Sequence, residues 1–194
     1  MERFFITPCI LGFFLCLLSL PPGLYAIQPE LSEKETKEAV KYGERNSRTI
    51  FKTLEILPAC LEAWPGIESG LVRSKHVNLA VTAAKRKRHS EKLTEDDIRQ
   101  AVTSDTLDIL IRTRENLAIK LIQYEKMIEP VSISYLSHHC ELCDFYGDKA
   151  TKGEHEYVIA SFPYSEIKPE MKTTVIFWNG GAERRYEVDL SSFK

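Results

Sequence analysis

Hydrophobic and polar positions change their spacing twice along the chain, and the changes divide it into three stretches. Residues 1–26 carry a mainly apolar run, Cys9 to Leu20, behind Arg3 and ahead of Pro21-Pro22-Gly23. Residues 27–103 carry apolar positions at the helical spacing, and residues 104–194 alternate with a period near two.

The first stretch has the layout of a signal peptide, with a weakly positive start, an apolar middle and Ala26 as the last residue before cleavage. Its apolar run is shorter than the roughly 20 residues that cross a bilayer, which favours removal over permanent anchoring. The protein is therefore expected to be exported, periplasmic or secreted, and membrane-attached only where the segment is not cleaved.

In the helical stretch, Ser32-Glu33-Lys34-Glu35 is a capping box that opens a helix ending between Gly43 and Asn46. Ala39, Val40 and Tyr42 form its thin apolar side. Ile50, Phe51, Leu54 and Leu57 fall at i, i+1, i+4 and i+7 and predict a second helix, stopped by Pro58. Trp64-Pro65-Gly66 reads as a turn. Ser74 caps a third helix with Val77, Ala80, Val81 and Ala84 on one face, and Lys85, Arg86, Lys87 and Arg88 at the end where cations suit the helix dipole. Thr94 with Asp97 opens a short fourth helix whose inner face is Ile98, Ala101 and Val102.

Beyond residue 103 the reading is strands. Leu107, Ile109 and Ile111 alternate with their neighbours, as do Leu117, Ile119 and Leu121, then Val131, Ile133 and Tyr135. Tyr157 to Phe162 follows, and Thr173 to Trp178, apolar on both sides, predicts a central strand. Asn179-Gly180 predicts a hairpin into Tyr186, Val188 and Leu190. No helical stretch separates these runs, so the sheet is expected to be antiparallel. The class is α+β: a helical region over 27–103 followed by an antiparallel sheet or sandwich-like domain over 104–194.

The order of SKHVNLAVTAAKRKRHSEKLTEDDIRQAV, LDILIRT, IEPVSISY, EYVIASFPYSEIKPEMKTTVIFW and YEVDLSSF resembles a family of uncharacterised bacterial exported proteins and lipoproteins. In that family a helical N-terminal part precedes a small β-sandwich-like domain closing on a similar hydrophobic-Asp-Leu strand. The resemblance spans about residues 30–194 and implies an envelope protein of α+β layout. It implies no activity and no functional residues.

Composition narrows the function classes. With 26 Lys+Arg against 28 Asp+Glu, a net charge of −2, the chain lacks the basic excess of a nucleic-acid binder. Gly-rich phosphate loops, Gly-x-Ser-x-Gly and His-Glu-x-x-His are all absent, so no hydrolase or nucleotide-binding chemistry is indicated.

Chemistry-bearing residues concentrate in one segment, His138-His139-Cys140-Glu141-Leu142-Cys143, with His155 beyond it. Loss of residues 1–26 would leave Cys60, Cys140 and Cys143 in an oxidising compartment. The favoured reading is a Cys140–Cys143 disulfide closing a connection, with Cys60 as an alternative partner that would staple the helical part to the sheet. A second reading is a metal site, zinc by ligand type, on Cys140, Cys143 and members of the His138, His139 and His155 set. A third is a Cys140/Cys143 thiol-disulfide couple, which lacks the strand–motif–helix setting of such sites.

The basic run Lys85–Arg88 is a candidate patch for an acidic partner, although Glu95, Asp96 and Asp97 lie near enough in sequence to neutralise it. Trp178 is expected in the core, and Trp64, beside Pro65, is expected to be the more exposed of the two tryptophans. These residues together predict a non-catalytic binding or structural module of the cell envelope. Its partner would be an envelope protein or surface, with the β part as the interaction platform.

Overall fold

The structure, a computed structural model, describes residues 29–62, 64, 68–113, 117–137, 156–179 and 181–193. These form three α-helices, α1 (Glu33–Arg45), α2 (Lys75–Arg88) and α3 (Glu95–Thr103). The described strands are β1 (Cys60–Leu61), β2 (Gly70–Arg73), β3 (Thr106–Thr113), β4 (Ala118–Gln123), β5 (Lys126–Ile128), β6 (Ser132–Ser137), β7 (Glu156–Pro163), β8 (Lys172–Asn179) and β9 (Ala182–Asp189).

All three helices begin where a short polar side chain takes up free N–H groups. Ser32 and Glu35 close a reciprocal capping box on α1, and Thr94 and Asp97 close another on α3. Ser74 caps α2 by accepting from the Val77 N–H at 3.2 Å.

The strands build two antiparallel sheets, a five-stranded one in the order β1-β2-β3-β7-β6 and a four-stranded one in the order β5-β4-β8-β9. The class is α+β, with the helices N-terminal to most of the sheet. β3 is paired on both sides and buries Leu110 as well as Leu107, Ile109 and Ile111, so both its faces are covered. β8 is likewise central, paired with β4 and β9. One hydrophobic cluster draws on β3, β4, β7, β8 and α2, so the two sheets and the helix share a core. Phe162 and Phe177 are fully buried in it. Each is worth about 1.5–3 kcal/mol relative to exposure.

α2 is the helix that joins the layers. Val77, Ala80, Val81 and Ala84 belong to the shared core, while Leu79 meets Ala39 and Ala101 in a separate cluster between the helices. α1 lies close against it at Gly43, where an added Cβ would stand 2.0 Å from the Ala80 carbonyl oxygen. Only glycine permits that crossing.

Three sequence expectations are changed. The helix expected over Ile50 to Leu57 is instead two single 3-10 turns, Ile50–Lys52 and Leu57–Ala59. Between them Thr53 is extended at φ −87° and ψ 150°, and Leu54 is 90% exposed. Pro58 contributes because it has no N–H to give a carbonyl one turn earlier, so a helix from Ile50 cannot run on through it. The stretch read as helical also holds β1 and β2, which pair onto β3, so the larger sheet crosses the 103/104 division. The β8–β9 hairpin falls one residue later than Asn179-Gly180. Asn179 pairs with Ala182, and Gly181 carries the positive φ of 83°.

Among the described residues no helix is long and apolar enough to cross a membrane.

Candidate functional site

The N-terminus of α2, the C-terminus of α3 and the turn after β7 converge on a cleft of about 690 Å³. Its volume lies in the range of small-molecule sites. Ser74 fixes the first turn of α2, which sets Lys75 at the cleft with 5% of its surface exposed. The Lys75 ammonium donates to the Val102 carbonyl oxygen in the last turn of α3 at 2.7 Å and stands 5.8 Å from the centre of the Tyr164 ring.

Tyr164 opens a 3-10 turn directly after β7, with Pro163 as its cap. Its N–H donates to the Asp105 carbonyl at 3.0 Å, and its hydroxyl oxygen accepts from the Lys75 backbone N–H at 3.3 Å. The side chain is 7% exposed. Burial pushes its hydroxyl well above the usual tyrosine range, and the Asp108 carboxylate adds to this against the opposing Lys75 N–H bond. The phenol is therefore neutral and keeps its proton at physiological pH.

Lys75 is less fully paired than the buried Gln123. Gln123 uses both ends of its amide: Nε2 donates to Thr173 Oγ1 at 2.8 Å and to the Lys168 carbonyl at 3.0 Å, and Oε1 accepts from the Lys168 N–H at 2.9 Å. The Lys75 ammonium has three donors, yet among the described residues it has one acceptor and no carboxylate partner. Glu30 and Asp105 line the same cleft but make no ion pair with it. A shallower depression of about 420 Å³ runs along the outer side of α1 and is lined only by charged residues such as Glu33, Lys37 and Lys41. It has the character of a solvated helix face.

The residues singled out in the sequence lie elsewhere. His138, His139, Cys140, Cys143 and His155 fall outside the described residues. Cys60 is described and is a free thiol, its Sγ 3.6 Å from the Ile56 carbonyl oxygen. Burial pushes its thiol up to about 12, so it holds its proton at neutral pH and is a poor nucleophile. Among the described residues no group of His, Cys, Asp and Glu is placed to hold a metal ion.

The basic run occupies the last turn of α2. There Arg86 grips Asp97 with two hydrogen bonds, Nε at 3.1 Å and Nη2 at 2.9 Å, and reaches Glu91 with Nη1 at 2.5 Å. The Arg86 guanidinium holds the Asp97 carboxyl down to about 2, with help from Thr94. Trp64 is half-buried, edge-on to Phe51 and Tyr157 with ring centres 6.3 Å away in each case. Trp178 is also half-buried, with the Lys120 ammonium 6.0 Å from its ring centre.

The chain matches no protein family, no curated protein and no solved structure. The cleft is thus read from its own geometry.

Sequence reasoning passed over Lys75, Tyr164 and Asp105. One signal was present: a lysine in the first turn of α2, where no acid accompanies it and the helix dipole is unfavourable to a cation. Its compensation is the C-terminal end of α3, which lies distant in sequence.

Proposed function

We propose that the protein is an exported, non-catalytic binding module of the cell envelope, and that the cleft between α2, α3 and the β7 turn is its ligand site. The observation that carries the binding reading is the buried Lys75 ammonium on the wall of a cleft large enough for a small molecule. Export is supported by the pattern of residues 1–26, and envelope location by the resemblance to exported proteins and lipoproteins. The non-catalytic reading is supported by Tyr164 keeping its proton and by a lining that includes neither histidine nor cysteine.

The test is thermal unfolding of the purified protein against a panel of small metabolites, together with a hydrolase and redox substrate screen. A ligand at 100 times its Kd contributes about 2.7 kcal/mol, which for a chain of this size raises Tm by about 5–11 °C. Such a shift without turnover is the expected result. Turnover of any substrate, or a panel with no stabilising member, would overturn the reading. Intact mass of protein from exporting cells checks the export half, with a mature chain beginning at Ile27 expected.

A further inference from the structure

The chemistry presented at the base of the cleft is one-sided. Lys75 Nζ retains donors beyond the one given to Val102. The Tyr164 hydroxyl accepts the Lys75 backbone N–H, and among the described residues its own hydrogen has no acceptor. Both groups are nine-tenths or more buried. A buried ammonium without a counter-ion is costly, and an oxyanion bound beside it would offset that cost. The positive end of the α2 dipole lies at the same cleft and favours negative charge there.

The rim selects among oxyanions. Glu30 and Asp105 line the cleft and oppose negative charge, more strongly for a phosphate dianion than for a monocarboxylate. Leu31, Val102 and Pro163 supply apolar wall for a hydrocarbon part.

We infer that the cleft binds a small aliphatic monocarboxylate, its carboxylate oxygens accepting from Lys75 Nζ and the Tyr164 hydroxyl. The inference rests on the reading of the cleft as a ligand site and names the ligand class. No covalent step is involved. Holding Tyr164 and Lys75 in place is what the surrounding fold contributes.

The experiment is calorimetric titration of the purified protein in chloride buffer with butyrate, butyramide and inorganic phosphate. Butyrate is expected to bind one site per chain, and butyramide, which lacks the charge, at least about tenfold more weakly. Phosphate is expected to bind more weakly than butyrate. Lys75→Met should lose butyrate binding by about tenfold or more, and Tyr164→Phe by about threefold to tenfold. Should Lys75→Met fail to fold, Tyr164→Phe and the butyrate–butyramide ratio decide. Equal binding of butyramide, tighter binding of phosphate, no butyrate binding, or unchanged affinity in either variant would overturn the inference. A neutral metabolite that stabilises the protein while butyrate does not would overturn the ligand class alone and leave the binding reading standing. A panel with no stabilising member would remove both.

Discussion

The two ends of α2 place positive charge in opposite settings. At the C-terminal end, Lys85 to Arg88 sit where the helix dipole favours cations, and Arg86 is held by Asp97 and Glu91 near solvent. At the N-terminal end, Lys75 sits where the dipole disfavours a cation, is buried, and has a carbonyl oxygen and an aromatic ring as its neighbours. The first arrangement follows from local rules. The second exists because the end of α3 and the β7 turn close over the lysine. Positive charge that obeys local preference explains itself, and positive charge that defies it marks the place where tertiary structure, and here a cleft, has been built around it.

The sharpest way to break this contrast is to invert the buried charge. Lys75→Glu would set a carboxylate against the Val102 carbonyl in place of the ammonium that donates to it, and should cost about 1.5–3 kcal/mol. Urea unfolding measures it. A cost below about 1 kcal/mol would mean that Lys75 is solvated in solution, contrary to the structure.

The exposed end should respond weakly, and through pH. Asp97 has its carboxyl held down to about 2 by Arg86, below the ordinary value of 3.8. The pair therefore contributes its full stability above pH 4 and loses it as pH falls from about 4 to 2. Because the guanidinium is largely in water, the contribution is small. Comparing Arg86→Ala with the parent chain at pH 7 and at pH 2 isolates it: the gap should close at the lower pH. A gap that widens would contradict the assignment.

Smallest of all, Lys87→Ala at the same end should change stability by less than about 0.5 kcal/mol, since Lys87 is exposed. A larger loss would show that the basic run is part of a packed structure.

How much of this was readable in the sequence follows the same division between local and distant causes. Ser32, Ser74 and Thr94 cap their helices through groups three residues away, and each cap was legible. Alternation exposed β3, β4, β6 and β9, because a strand with one buried face repeats every two residues, while β8 was legible as a short run apolar on both sides. β1, β2 and β5 were missed because strands of two, four and three residues are too short to show a period. Ile50, Phe51, Leu54 and Leu57 match a helical face by spacing, but the fold uses Ile50 and Phe51 in the core and leaves Leu54 and Leu57 in solvent. The cleft was illegible for a further reason. Lys75, Asp105 and Tyr164 are brought together by the meeting of α2, α3 and the β7 turn, and no local pattern joins them. The cysteine–histidine segment, by contrast, was conspicuous in the sequence and lies outside the described residues.

Lys75, proposed as a buried cation that meets an oxyanion, stands opposite the exposed Lys87 at the other end of α2. Heteronuclear NMR of the lysine side-chain ammonium groups, in the parent protein and during addition of butyrate, tests it most directly. The expected result is a Lys75 signal protected from solvent exchange, shifting saturably with butyrate while the Lys85 and Lys87 signals stay in place. A Lys75 signal that exchanges as fast as the others, or that drifts with them in proportion to added salt, would contradict it.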